Sequence, residues 1–441
     1  MDSIRTPHPD FPELSNLVRI GKDSRRGRYI EAVQDIPVGT VICSEKGIVV
    51  TLEEDRCSYC LVAISSTQIH CPNCAQKHLE YAQVEGVFCK ELGQLGMVAP
   101  TIRILLSFPA KILEAHFVHE KHSSSCPFTK IFALKCSDEP DDFRPIEDFL
   151  LRFERKLVLH SDWKEAPKTL FLLAFAGIFS RLKVNAHVVT EFHRNSLEEK
   201  PIGSGIFPIS SIFNHSCRAN VFSFFSRDRF IWVSRGIRKG EEVLDNYGVQ
   251  AHSVCYEQRK DFLTGRGFLC QCEVCEKGSD GEELVARPEV ETVFAVSLKS
   301  LEGSRSGYCR KMGLTVHLSD SLTSIPATLS HSQIQKFARR HGISHDHIEI
   351  YRLLENNIFE GTKDAVECFE WARSNQMGRG VVFEPDMVSH YVVMIRHFRN
   401  TKSLAPKVKA WTLSAFFLIH LYYRNLHPCH DEIYQLWLEM N

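Results

Sequence analysis

Sulfur carries much of the chemistry that this sequence could do. Among its sixteen cysteines, Cys57 and Cys60 form one Cys-x-x-Cys pair and Cys71 and Cys74 a second, while Cys270, Cys272 and Cys275 stand as Cys-x-Cys-x-x-Cys. Cys217 ends the polar cluster Asn214-His215-Ser216-Cys217. Paired knuckles bring two thiolates to one metal, and two pairs make a tetrahedral zinc set. Cys57, Cys60, Cys71 and Cys74 are one candidate set. Cys71, Cys74 and Cys89 with His70 or His78 are the other, and buried free cysteines are the plain alternative. A disulfide framework is not expected, because the N-terminal MDSIRTPHPDFPEL has no apolar signal core.

A second concentration of polar groups follows the apolar run Ile209–Phe213. There the chain stops on Asn214, His215, Ser216 and Cys217, which sets amide, imidazole and thiol groups beside a core. On these residues alone, a strand end with a capped turn is an equal reading. Further on come GEEVLDNYG (Gly240–Gly248) and CQCEVC (Cys270–Cys275).

The order FNHSC, GEEVxxNYG, CxCxxC resembles the SET methyltransferase fold with its post-SET zinc loop. RRGRYIEAVQDIPVGTVICSEK, at the front of the chain, resembles the opening of the SET and MYND domain family of protein-lysine methyltransferases. The likeness spans roughly residues 16–276 and is greatest to the family's member-4 branch, though without the helical repeats that usually precede the SET domain there. It implies an α+β fold: a SET-type β fold split by a zinc-finger and helical insertion, a post-SET zinc loop, and an all-helical C-terminal lobe. The finger is a shortened MYND, because the family's middle Tyr-Cys-x-x-Cys unit is missing.

Several elements must position these groups. Residues 16–56 read as the N-terminal part of the SET fold, with β segments at Thr40–Ser44 and Gly47–Leu52 rich in Val, Ile and Thr. Residues 57–89 are the shortened finger. Residues 97–200 read as a helical insertion, from the periodicity of Thr101–Lys121 and Ile146–His160 and a third helix from Pro167. Strands return over 201–248, at Phe207–Phe213, Val221–Phe225, Phe230–Val233 and Glu242–Asp245. Residues 249–276 are the post-SET part, opening on a short helix, and 276–290 read as a linker. The remainder, 291–441, reads as helices at His331–Arg340, His345–Phe359, Asp364–Ser374, Pro385–Phe398 and Lys407–Tyr423. His427, Cys429 and His430 in the tail are read as structural rather than metal-binding.

The resemblance also implies roles. The reaction is methyl transfer from S-adenosylmethionine to a protein lysine, with Tyr247 as the catalytic tyrosine between donor and lysine channel. The donor site comprises the loop Gly27, Arg28 and Tyr29, then Asn185 (otherwise a helix C-cap), Asn214, His215, Tyr247 and Phe268, whose ring meets the adenine. Cys217 joins Cys270, Cys272 and Cys275 around zinc. Tyr29 replaces the second glycine of the family's usual Gly-x-Gly, and on the bare sequence Arg25, Arg26 and Arg28 read as a solvated basic turn. Arg266 stands where the family often has a channel tyrosine. A guanidinium there would repel lysine, so a donor-binding but inactive scaffold is the second reading.

Bulk properties exclude other classes. The 53 basic and 54 acidic residues leave a net charge of −1, so no whole-chain field favours nucleic acid. There is no basic stripe with interleaved aromatics, and direct nucleic-acid binding is not expected. The longest apolar runs, Leu170–Phe179 and Ala410–Tyr423, are too short to cross a bilayer, so no membrane partner is expected. The expected partners are a protein substrate bearing the target lysine and proteins docking on the zinc finger or helical lobe. The expected location is cytoplasm and nucleus.

Overall fold

A computed structural model describes residues 7–51, 55–57, 61–65, 71–72, 134, 181, 184–195, 197–226, 229–249, 251, 254–278, 385, 387–423 and 426–440. The expected helices at 101–121, 146–160, 331–340, 345–359 and 364–374 lie outside these residues. So do the expected helix from Pro167, most of the 276–290 linker, and Cys60, Cys74, Cys89, His70 and His78.

The described chain opens with the hairpin β1 (Val18–Asp23) and β2 (Gly27–Ala32), followed by β3 (Val41–Glu45) and β4 (Ile48–Thr51). After the insertion come β5 (Ala186–His193), β6 (Glu198–Ile206), β7 (Asn214–His215), β8 (Val221–Ser226), β9 (Arg229–Ser234) and β10 (Leu244–Asp245). The helices are α1 (Tyr256–Thr264), α2 (Glu273–Glu276), α3 (Met387–Phe398), α4 (Ala405–Leu418) and α5 (His430–Met440), with α4 continuing into one π-helical turn at Ile419–Tyr423.

Strand β9 is the centre. It lies between β3 and β8, antiparallel to both. Its sequence, RFIWVS, has apolar residues on both faces, and the pleat sends alternate residues to opposite sides. Phe230 and Trp232 enter one core with Ile30, Ile36, Phe207 and Phe213. Ile231 and Val233 enter another, built with Val388, Tyr391, Ile395 and Trp411 of α3 and α4. The C-terminal helices thus cover the far face of the β3-β9-β8 sheet. A second sheet runs β4-β6-β5, and β7 pairs in parallel with β10.

Two expectations are corrected. Residues 186–200, placed in the helical insertion, form strand β5 and the start of β6. The β-branched run Val188-Val189-Thr190 suits a pleated surface better than a helix. Phe207–Phe213 is not a strand. It is a tight turn with a 3-10 segment at Ser210–Ile212, closed by Ile212 N–H on the Ile209 carbonyl (3.0 Å) and Phe213 N–H on the Ser210 carbonyl (3.1 Å). Strands at Val221–Phe225 and Phe230–Val233 and helices at Pro385–Phe398 and Lys407–Tyr423 lie where the sequence puts them, within a few residues.

Candidate active site

The tight turn delivers the chain to β7 and so brings Asn214 and His215 beside Leu244 and Asp245 of β10. Immediately after β10, Asn246 folds the chain back. Its Nδ2 donates to the carbonyls of Val249 (2.7 Å) and Ser216 (3.2 Å), and its Oδ1 accepts the Gly248 N–H (2.9 Å). This turn lays Tyr247 against His215, with ring centroids 4.9 Å apart.

Phe268 arrives from the other side. Helix α1 ends at Thr264, and Gly267 takes φ +69°, a left-handed conformation that a side chain would resist. The Phe268 N–H then closes on the Leu263 carbonyl (2.9 Å). Its ring meets His215 edge-on at 5.6 Å and Tyr247 at 5.7 Å. Three of the expected donor-site residues are therefore one aromatic group.

His215 is buried, and burial lowers its pKa to about 4, so the ring is neutral at pH 7. Nδ1 accepts the Tyr247 N–H (3.0 Å). The proton therefore sits on Nε2, which faces Cys217 Sγ at 3.4 Å. Burial raises the Tyr247 pKa, which keeps the phenol protonated, and its hydroxyl donates to the Phe213 carbonyl (3.0 Å).

Asn214 ties the glycine-containing loop to this group. Its Nδ2 lies within donating distance of the carbonyls of Arg28 (3.1 Å) and Arg26 (3.3 Å) and of Glu242 Oε1 (2.7 Å). Glu242 Oε2 accepts from Arg26 (3.3 Å), which also binds Asp23 (2.7 Å) and stacks its guanidinium 3.5 Å over the Tyr29 ring. Tyr29 in turn lies across Gly21, where a Cβ would fall 2.3 Å from its ring. The amide nitrogen of Asn214 and both ring nitrogens of His215 are thus engaged within the protein. Glu242 and Asp23 did not stand out in the sequence, although the Gly240-Glu241-Glu242 run marked the place.

Asn185 is buried at the end of a helical turn and donates from Nδ2 to the Arg181 carbonyl (2.7 Å). Its neighbour Ala186 pairs with Ile206 at the entrance to the tight turn. Arg266, on the exposed side of the site, donates to the Tyr247 carbonyl (3.3 Å) and rests 4.6 Å over the Phe262 ring.

Cys217, Cys270, Cys272 and Cys275 form one cluster, their sulfurs all within 4.8 Å of one another. Cys217 Sγ is 3.4 Å from Cys275 Sγ and 3.9 Å from Cys270 Sγ. Tetrahedral zinc at Zn–S distances of about 2.3 Å sets sulfur–sulfur edges of roughly 3.8 Å, so the set fits that ion. Mutual hydrogen bonding raises the Cys217 thiol and lowers that of Cys272. In the segment expected to form the finger, Cys57 and Cys71 are both buried and share a small cluster with Ile64. The Leu61 N–H bonds the Cys57 carbonyl (2.9 Å), closing a knuckle. Arg56 anchors this base to β5 through Glu191 (2.5 Å).

The SET domain family matches residues 27–248. SET domain-containing protein 3 of Caenorhabditis elegans is 31% identical over 410 residues, which cover 87% of this chain and 80% of that protein. Human protein-lysine N-methyltransferase SMYD4 is 35% identical over 92 residues, 20% of this chain and 11% of that protein. Histone-lysine N-methyltransferase ASHR1 of Arabidopsis thaliana is 25% identical over 276 residues, 57% of this chain and 53% of that protein. The 27–248 match includes His215 and Tyr247 of the aromatic group, and Phe268 lies beyond it, on the segment between α1 and Cys270. On this match and this geometry, the chain belongs to the SET domain family.

Proposed function

We propose that the chain is an S-adenosylmethionine-dependent protein-lysine N-methyltransferase. The observation that carries this reading is Tyr247, packed on His215 and Phe268 with its hydroxyl fixed on the Phe213 carbonyl. Two of the relatives are named as protein- or histone-lysine methyltransferases.

The bound donor would supply an activated methyl on a sulfonium. The chain's own task is to hold a neutral amine in line with it. A lysine amine has pKa ~10.4, and neutralising it near pH 7 costs roughly 4–5 kcal/mol. A dry, aromatic-walled passage lowers that cost by disfavouring the ammonium. Tyr247 does not take the proton, because burial keeps its phenol protonated. It orients instead: the hydroxyl hydrogen is committed to Phe213, leaving the oxygen lone pairs to accept from the amine. Asn214 holds the Arg26–Arg28 loop against β10, and Phe268 offers a ring for stacking. Zinc on Cys217, Cys270, Cys272 and Cys275 would fasten the Phe268 wall to the Asn214–His215 strand. A second zinc on the finger cysteines, and protein partners on the finger and helical lobe, belong to the same reading.

The second reading, a donor-binding scaffold without turnover, is favoured by Arg266, whose guanidinium touches the Tyr247 carbonyl. Labelled-donor methylation of a protein array, run with wild type and Tyr247→Phe, tests the first reading. Label on a lysine with wild type alone supports it. Donor binding with no transfer on any substrate supports the scaffold. Arg266→Tyr then discriminates further: a rise in transfer at constant donor affinity marks a weakened enzyme.

A further inference from the structure

Glu45, the last residue of β3, is buried, and among the described residues no cation pairs with it. Its carboxylate is nonetheless fully engaged. Oε1 accepts the Ile209 N–H (2.9 Å), and Oε2 accepts the Ser210 N–H (2.7 Å) and the Ser210 hydroxyl (2.8 Å). These donors open the 3-10 segment of the tight turn, so a carboxylate from the N-terminal part of the fold shapes the approach to Asn214.

The contacts continue. Ser210 Oγ accepts Trp232 Nε1–H (2.9 Å). Trp232 stacks on Phe213 with centroids 4.6 Å apart and planes 7° from parallel. The Phe213 carbonyl receives the Tyr247 hydroxyl (3.0 Å). We propose that Glu45 is a positioning residue for Tyr247, acting through Ser210, Trp232 and Phe213 on the carbonyl that aims the phenol. The proposal rests on Tyr247 being the tyrosine at the reacting centre.

Only the ionised carboxylate can accept all three donors. A proton on Oε2 would turn that oxygen from acceptor to donor, leaving the Ser210 N–H without its partner. Burial raises the Glu45 pKa to about 7, so this change falls in the neutral range. The groups facing it leave that direction intact. Glu13, whose carbonyl accepts the Ser44 N–H, adds a negative charge and raises the pKa further. Arg229 is bonded to the Ser44 carbonyl (3.1 Å), and the neutral His187 packs edge-on to Trp232.

Glu45→Gln keeps the shape and removes the second acceptor. At pH 8 it is expected to lower kcat about tenfold while KM and donor affinity stay within twofold. The rise of kcat through pH 7 in wild type should be absent in the variant. Ser210→Ala should reproduce the fall, and the double variant should fall no further; Ser210→Ala also carries the test if Glu45→Gln does not fold. Wild-type kcat in Glu45→Gln at pH 8, or parallel loss of donor affinity, overturns the proposal. If wild type transfers no methyl at all, the parent reading fails, and the contact chain is judged by emission of Trp232, isolated as the difference from Trp232→Phe. A transition near pH 7 that Glu45→Gln abolishes supports it, and the same transition in Glu45→Gln overturns it.

Discussion

The Tyr247 hydroxyl and the Phe213 carbonyl meet at 3.0 Å across 34 residues of sequence. One hydrogen bond thereby joins the end of the tight turn to the far side of β10. The phenol's direction is set by main chain rather than by a mobile side chain. Tyr247→Phe removes this bond and leaves the rings of His215 and Phe268 in place. Its methyl transfer should fall by about a hundredfold or more, in the range that a positioned polar group contributes. Its donor affinity should stay within a few-fold of wild type. Calorimetry showing that donor binding collapses would contradict this division of roles.

Asn214 holds three acceptors with one amide nitrogen. Asn214→Ala leaves the Glu242 carboxylate with Arg26 alone and frees two loop carbonyls. The cost should be about 1–3 kcal/mol of stability, with weaker donor binding. Asn214→Asp should be worse, since it sets a second carboxylate beside Glu242. Thermal unfolding of the two variants gives the order, and equal stability of Asn214→Asp and wild type would refute the arrangement.

The four-cysteine cluster should hold one zinc, and the finger a second. Native mass spectrometry of the full chain is expected to show two zincs, and Cys272→Ser one. Structural zinc contributes apparent binding free energies of about 10–16 kcal/mol in small sites, so its loss should loosen the Phe268 wall as well as the loop. Cys272→Ser should therefore lose donor binding, while Tyr247→Phe keeps it. Two zincs retained in Cys272→Ser would place the second ion elsewhere.

Stability should depend on pH through Glu45. Its native pKa of about 7 stands above the ordinary carboxyl value of 4.5, so between these values the folded state binds more protons than the unfolded state. Stability from this group is therefore full below about pH 4.5 and is lost as pH rises through 7. The loss amounts to about 3 kcal/mol. Denaturant unfolding of wild type and Glu45→Gln at pH 4.5 and 8 isolates it: wild type should lose ground against the variant as pH rises. A constant difference would mean that Glu45 does not titrate there.

The sequence made the cysteine geometry readable because thiolate spacing is local chemistry. Cys270, Cys272 and Cys275 announce a knuckle, and only the distance to Cys217 had to come from the fold. Tyr247 and Phe268 stand out only through the family resemblance, from their places in Asn246-Tyr247-Gly248 and two residues before Cys270, and the structure packs both rings on His215. The shape of Phe207–Phe213 was not legible. Its apolar pattern suits a strand, and the three donors that turn it into a 3-10 segment are satisfied by Glu45, 164 residues earlier in sequence from the nearer of them. Ala186–His193 is misplaced too, because it counts as the close of the mostly helical 97–200 block although no helical periodicity is read in it. Arg26 reads as part of a solvated basic turn and Asp23 and Glu242 are not singled out, since the network forms only when the β1–β2 hairpin meets the segment before β10.

The pairing of β3 with β9 has a consequence for biosynthesis. Ser44 and Arg229, which meet across that pair, are 185 residues apart. At translation rates of about 5–20 residues per second, β3 leaves the ribosome roughly 10–40 s before its partner strand. During that interval its edge is open, and the aromatic core around Trp232 has no centre to condense on. The outer face of β9 then waits again for α3 and α4. Both intervals leave apolar surface open to aggregation, and a premature stop anywhere between Arg229 and Met387 removes the described cover of that outer face for good.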